Sequence, residues 1–169
     1  MRARWCWILF AAVLAIRCND EPALAPSSAT RLLEAGWSFG FCLGSCNGTL
    51  TVQNETLDYR VTDREGNQVL ASSQGHLTAA GSAGLSTLLS DIPQPLDDVY
   101  GCPDCADAGA AYVILNRDGV SRRSIYEYPN PPAELAALDE FLKEVMDALG
   151  ACQSTAQVTI EGDCSPVPR

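Results

Sequence analysis

The chain has 169 residues and a mass of 18.0 kDa, enough for one domain with a real core and hardly for two. Apolar residues at 47% and charged ones at 19% exclude a disordered tail and a many-span membrane protein. A formal charge of −10 disfavours a basic nucleic-acid face, and the single histidine excludes any centre built on two imidazoles.

The chain opens Met1-Arg2-Ala3-Arg4 and then runs apolar from Trp5 to Ile16. That stretch is too short for a spanning helix, which needs about 20 residues. A basic start followed by a short apolar core is the pattern of an export signal, so residues 1–18 are read as one. Its end allows two outcomes. Leu14-Ala15-Ile16-Arg17-Cys18 resembles a bacterial lipoprotein signal, which makes Cys18 the lipidation candidate, although Arg17 stands where that pattern has a small residue. Ala23-Leu24-Ala25 offers cleavage and free secretion instead. Both outcomes place the protein outside the cytoplasm, as a membrane-anchored lipoprotein or a secreted or periplasmic protein. Where the signal is cut just before Cys18, the loss of Arg2, Arg4 and Arg17 takes the 11 cations to 8 against 21 acids, a net charge of −13.

Residues 19–30 carry Pro, Ala and Ser without periodicity and read as a tether, followed by a single domain over 31–164 and a tail at 165–169. Gly36-Trp37-Ser38-Phe39-Gly40-Phe41-Cys42, with large residues at alternate positions, predicts an opening strand. Thr49–Gln53 and Thr56–Val61, joined at Asn54-Glu55, alternate as a half-buried hairpin. From about Thr78 the period becomes helical, with Leu85, Leu88, Leu89 and Ile92 on one stripe, and Pro93 and Pro95 end it. Tyr112–Leu115, a turn at Arg117-Asp118-Gly119 and Val120–Tyr128 predict a second hairpin. Asn130-Pro131-Pro132 supplies a helix start. The helix stripe is Leu135, Leu138, Leu142, Val145 and Leu149, joined by Phe141 and Met146; Glu134, Asp139, Glu140, Lys143, Glu144 and Asp147 fall on the solvent face, and Gly150 ends it. Ala156-Val158-Ile160 offers an edge strand. The expectation is an α+β fold, an antiparallel sheet built from two hairpin–helix units with both helices on one face.

Phe41-Cys42-Leu43-Gly44-Ser45-Cys46, followed at once by a hairpin, resembles the C-x-G-x-C opening of an uncharacterised bacterial domain family found in exported proteins and lipoproteins. The likeness in element order extends over residues 34–150. Asn47 and Asn54-Glu55 stand where that family commonly has Pro and Gly. The resemblance implies a fold and a location but no activity, because the family has none established.

Once the signal is set aside, with Cys6 in it and Cys18 either acylated or discarded, six cysteines remain: Cys42, Cys46, Cys102, Cys105, Cys152 and Cys164. In an exported chain they read as three disulfides with 15 possible connectivities, of which local spacing favours 42–46, 102–105 and 152–164. Cys102-Pro103-Asp104-Cys105 has the form of a thiol–disulfide exchange site, yet Asp98, Asp104 and Asp107 would raise a thiolate's pKa rather than lower it. Four thiolates from residues 42, 46, 102 and 105 fit zinc only in a reducing compartment. Asp91, Asp97, Asp98, Asp104 and Asp107 share one loop but lack the spacing of a calcium site. His76, in Ser72-Ser73-Gln74-Gly75-His76, reads as a surface-loop residue, with no G-x-S-x-G elbow to enlist it. Arg122 and Arg123 read as an exposed sheet face, and Asn47-Gly48-Thr49 and Asn54-Glu55-Thr56 match glycosylation sequons, which matter only in a eukaryotic host.

These residues point to a non-catalytic extracytoplasmic binding or structural protein. It is expected to need no cofactor or metal, to bind no nucleic acid, to touch a membrane only through a lipid on Cys18, and to have an envelope or extracellular protein as partner. The alternatives are a thiol–disulfide oxidoreductase using Cys102 and Cys105, and a secreted protease inhibitor presenting the 91–107 loop.

Overall fold

The computed structural model describes residues 29–105 and 108–167. The signal, Cys6, Cys18, nearly all of the tether and Asp107 lie outside these. The domain is α+β: an eight-stranded sheet with two helices. The elements are β1 (Arg31–Ser38), β2 (Asn47–Gln53), β3 (Thr56–Thr62), β4 (Val69–Leu77), α1 (Ala79–Asp91), β5 (Val99–Tyr100), β6 (Ala110–Arg117), β7 (Val120–Glu127), α2 (Ala136–Gly150) and β8 (Val158–Ser165). Across the sheet the order is β5-β7-β6-β1-β2-β3-β4-β8, antiparallel throughout except for the short β5–β7 pair.

Both expected hairpins form. Asn54, at φ 58°, takes the left-handed turn between β2 and β3, a conformation that Asn tolerates better than most residues. Asp118 and Gly119, both at positive φ, turn β6 into β7. Thr78 caps α1: its Oγ1 accepts from the Gly81 N–H at 3.0 Å, satisfying one of the donors that a helix start leaves free. Leu85, Leu89 and Ile92 then bury their side chains. They join Leu50, Val52, Leu57 and Val61 from the strands and Leu138, Leu142, Val145 and Leu149 from α2 in one core cluster.

Four departures from the sequence reading have physical reasons. β1 ends at Ser38, and residues 39–46 turn back through the Cys42–Cys46 disulfide, leaving Leu43 fully exposed. His76 is not in a loop: it lies on β4, between β3 and β8. That strand escaped notice because its core-facing positions are Ala71, Ser73, Gly75 and Leu77, which are mostly too small or too polar to give an apolar period. α2 begins a turn later than its prolines suggest. Asn130 N–H bonds Glu127 O and Leu135 N–H bonds Pro132 O, so Pro131 and Pro132 sit in turns, and Leu135 precedes the first helical residue without a side-chain cap. Asp139, expected on the solvent face, is 7% exposed and points into the core edge.

Three disulfides join Cys42 to Cys46, Cys102 to Cys105 and Cys152 to Cys164. Such a set belongs to an oxidising, extracytoplasmic setting. The third ties the end of α2 to the edge strand β8. Beyond β8, Val167 N–H bonds Gly150 O at 3.0 Å, so the chain folds back against the end of α2. No described helix is long and apolar enough to cross a membrane.

Candidate functional site

The sequence-derived candidates are scattered. Cys102 and Cys105 are both exposed in a turn between β5 and β6, and among the described residues no α-helix follows to depress a thiolate's pKa. Cys42 pairs with Cys46 elsewhere, so the four cysteines do not converge. The acidic loop is anchored rather than free: Ile92 and Leu96 are buried, Asp97 N–H donates to the Tyr100 hydroxyl, and Asp98 O accepts from Ile125 N–H at the sheet edge. Among the described residues no three His, Cys, Asp or Glu side chains gather as a metal-holding group. His76 pairs through Nε2 with Glu161 Oε2 on β8 at 2.8 Å, on the polar face of the sheet. Arg122 and Arg123 are exposed, and the Arg123 guanidinium lies 4.2 Å from the centre of the Tyr112 ring. Asn47, of the first sequon, is half-buried, and its amide nitrogen donates to Asp63 O at 2.6 Å.

Instead, the strongest concentration of chemistry lies between α2 and the strands beside it. Trp37 on β1 lies across Gly48 on β2, and a Cβ at Gly48 would collide with the indole. Phe39, just beyond β1, packs at 5.4 Å from Trp37 and edge-on to Tyr128 at 5.0 Å. Tyr59 on β3 completes the wall. These four aromatics, with Met146 and Asp147 of α2, line a cleft of about 620 Å³ that Pro166 and Val167 bound at one end. Its size falls within the usual range for small-molecule sites, about 300–1,000 Å³.

A polar chain runs along one flank. The Tyr126 hydroxyl donates to Asp139 Oδ1 at 2.6 Å, and Lys143 Nζ bonds Asp139 Oδ2 at 2.7 Å. The same ammonium sits 5.2 Å from the centre of the Tyr128 ring. Lys143 is the chain's one lysine and lies four residues from both Asp139 and Asp147. It pairs with Asp139, and Asp147 has no ion pair among the described residues. Burial pushes the Tyr126 hydroxyl well above its ordinary range, helped by its bond to the Asp139 carboxylate. Burial also pushes Tyr59 up to about 12, opposed by a hydrogen bond from Trp37 and assisted by the Asp147 charge. Both tyrosines are therefore neutral at physiological pH, Tyr126 donating to Asp139 and Tyr59 accepting from Trp37.

Residues 37, 39 and 128 read in sequence as strand positions and 59 as a hairpin position, and the alternation that found their strands could not show that they meet. Comparison of the chain with protein-family models, curated proteins and solved structures finds no match.

Proposed function

We propose that this chain is a non-catalytic extracytoplasmic binding protein that holds a small ligand in the aromatic cleft between α2 and the sheet. The observation that carries the reading is the convergence of Trp37, Phe39, Tyr59 and Tyr128 on one cleft. Aromatic walls bury much area at little entropic cost, and that composition serves binding rather than bond-making. No nucleophile paired with a base lines the cleft, and Asp139 and Lys143 are engaged with each other.

In this reading the protein is exported by residues 1–18 and either anchored through Cys18 or released, and its partners are other envelope or extracellular molecules. The C-x-G-x-C resemblance, Cys42-Leu43-Gly44-Ser45-Cys46, supports the same location. The fold is taken as two hairpin–helix units, β2–β3 with α1 and β6–β7 with α2, whose helices share one face of the sheet. The single core cluster supports that arrangement.

Two measurements test the proposal. Thermal-shift screening of the exported protein against a library of charged and neutral small molecules is expected to give ligands that raise Tm and change Trp37 fluorescence. Gly48→Leu, which displaces the indole, is expected to abolish both. A screen without ligands, combined with insulin reduction that Cys102→Ser abolishes, would replace this reading with thiol–disulfide exchange. Mass spectrometry of the mature N-terminus separates the anchored form from the secreted one.

A further inference from the structure

Resting on the reading of the cleft as a ligand site, we infer that its ligand is a small free quaternary ammonium compound. Its alkylated cation would lie against the rings, with Asp147 as counter-charge. The walls are not parallel: Phe39 stands at 86° to Tyr128 and at 48° to Trp37. Packed against one another at these angles, the rings form a continuous aromatic wall that offers faces and edges to a group lying against it. Ring faces carry a partial negative charge that attracts cations, and a quaternary ammonium loses little hydration on contact with them.

Charge decides the sign of the ligand. The Asp139 carboxylate is neutralised by Lys143 at 2.7 Å, and Asp147 has no ion pair among the described residues, so α2 presents one uncompensated negative charge to the cleft. The Lys143 ammonium 5.2 Å from the Tyr128 ring centre shows one of these rings already accepting a cation on its flank. The whole chain's charge of −10 favours cations further.

The lining also argues against a sugar, the other common guest of aromatic clefts. Apart from Asp147, the tyrosyl hydroxyls and the indole N–H of Trp37, the side chains lining the cleft are aromatic or apolar, as at Met146 and Val167. A polyhydroxylated ligand would find few side-chain partners there, whereas a trimethylammonium group needs none. A lipid-borne headgroup is disfavoured because the exposed Phe41 and Leu43, the residues suited to enter a bilayer, do not line the cleft.

Calorimetric titration of the full exported protein, with Trp37 fluorescence in parallel, tests the assignment. The probes are choline, its neutral isostere 3,3-dimethylbutan-1-ol, glucose, and phosphatidylcholine vesicles. Choline is expected to bind saturably and about tenfold or more tighter than the isostere, the preference that cation–π and carboxylate contacts supply together. Asp147→Asn, a change at an exposed position, is expected to weaken choline about tenfold and to leave the isostere within about twofold. Tyr128→Leu is expected to weaken choline comparably, with the fold of both variants checked by circular dichroism. Equal binding of choline and the isostere, or choline affinity unchanged in Asp147→Asn, would overturn the cationic assignment while leaving the cleft as a site. Preference for glucose or for vesicles would overturn it in favour of that ligand. Binding of no probe would overturn the assignment too, and the library screen then decides whether the cleft binds anything.

Discussion

Tyr126→Phe removes a single oxygen from the contact that anchors α2 to β7. Tyr126 is 2% exposed and Asp139 7%, so water has little room to replace the lost hydroxyl. The bond is short, 2.6 Å, and its acceptor is a carboxylate; hydrogen bonds of that kind contribute about 1.5–3 kcal/mol. Lys143 still holds the other carboxylate oxygen at 2.7 Å, so the charge is not orphaned. The loss therefore falls short of the about 3–5 kcal/mol that follows removal of the sole partner of a buried charge. The ring is retained and core packing is unchanged. We expect a loss of about 2 kcal/mol, which in a domain of this size lowers Tm by roughly 6–10 °C. Calorimetry or urea unfolding at pH 7 measures it. Lys143→Met is the comparison: its side chain is 35% exposed, solvent offsets part of the loss, and about 1 kcal/mol is expected. A Tyr126→Phe protein melting within about 1 °C of the parent would refute the view that this contact is desolvated and holds the helix.

The same tyrosines set the alkaline limit. Tyr59, pushed up to about 12 by burial, keeps its proton in the fold where the unfolded chain loses it near pH 10. Its contribution is thus fully present below pH 10 and disappears as pH rises towards 12. Tyr59→Phe is expected to flatten the fall of unfolding free energy in that window by roughly 3 kcal/mol in all, measured by urea titration at stepped pH, and an unaltered slope would count against it. Among the disulfides, Cys152–Cys164 closes the longest loop, with a separation of 12 residues against 4 and 3. Paired Cys→Ala changes there are expected to cost about 3 kcal/mol, against about 2 for Cys42–Cys46; the reverse order in urea unfolding would show that loop entropy is not what separates them. Gly81→Ala, which improves helix propensity by about 1 kcal/mol, is nevertheless expected to destabilise, because the new methyl would strike the Gln157 carbonyl beneath α1. A higher Tm in that variant would mean that the helix shifts freely on the sheet.

By itself the sequence determined the elements whose pattern is local. Alternation marked β2 and β3, the apolar run Tyr112–Leu115 with its following turn marked β6 and β7, the leucine stripes marked α1 and α2, and Asn54 and Gly119 marked the turns, since each depends on residues a few positions apart. The cysteines were legible in the same way, because 42–46, 102–105 and 152–164 pair with near neighbours in the chain. β4 was not legible: its inward positions include Ser73 and Gly75, and Gly75 is required there because a Cβ would press on Thr159 O of β8, a residue 84 positions away. Nor was the cleft. Trp37 with Phe39, Tyr59 and Tyr128 come from three places far apart along the chain, and Asp139 looked like one more solvated acid until the fold set Tyr126 against it. Side-chain periodicity reports which face of an element is apolar. Which distant faces meet, and which carboxylate of α2 Lys143 neutralises, is fixed only when helix and sheet pack together.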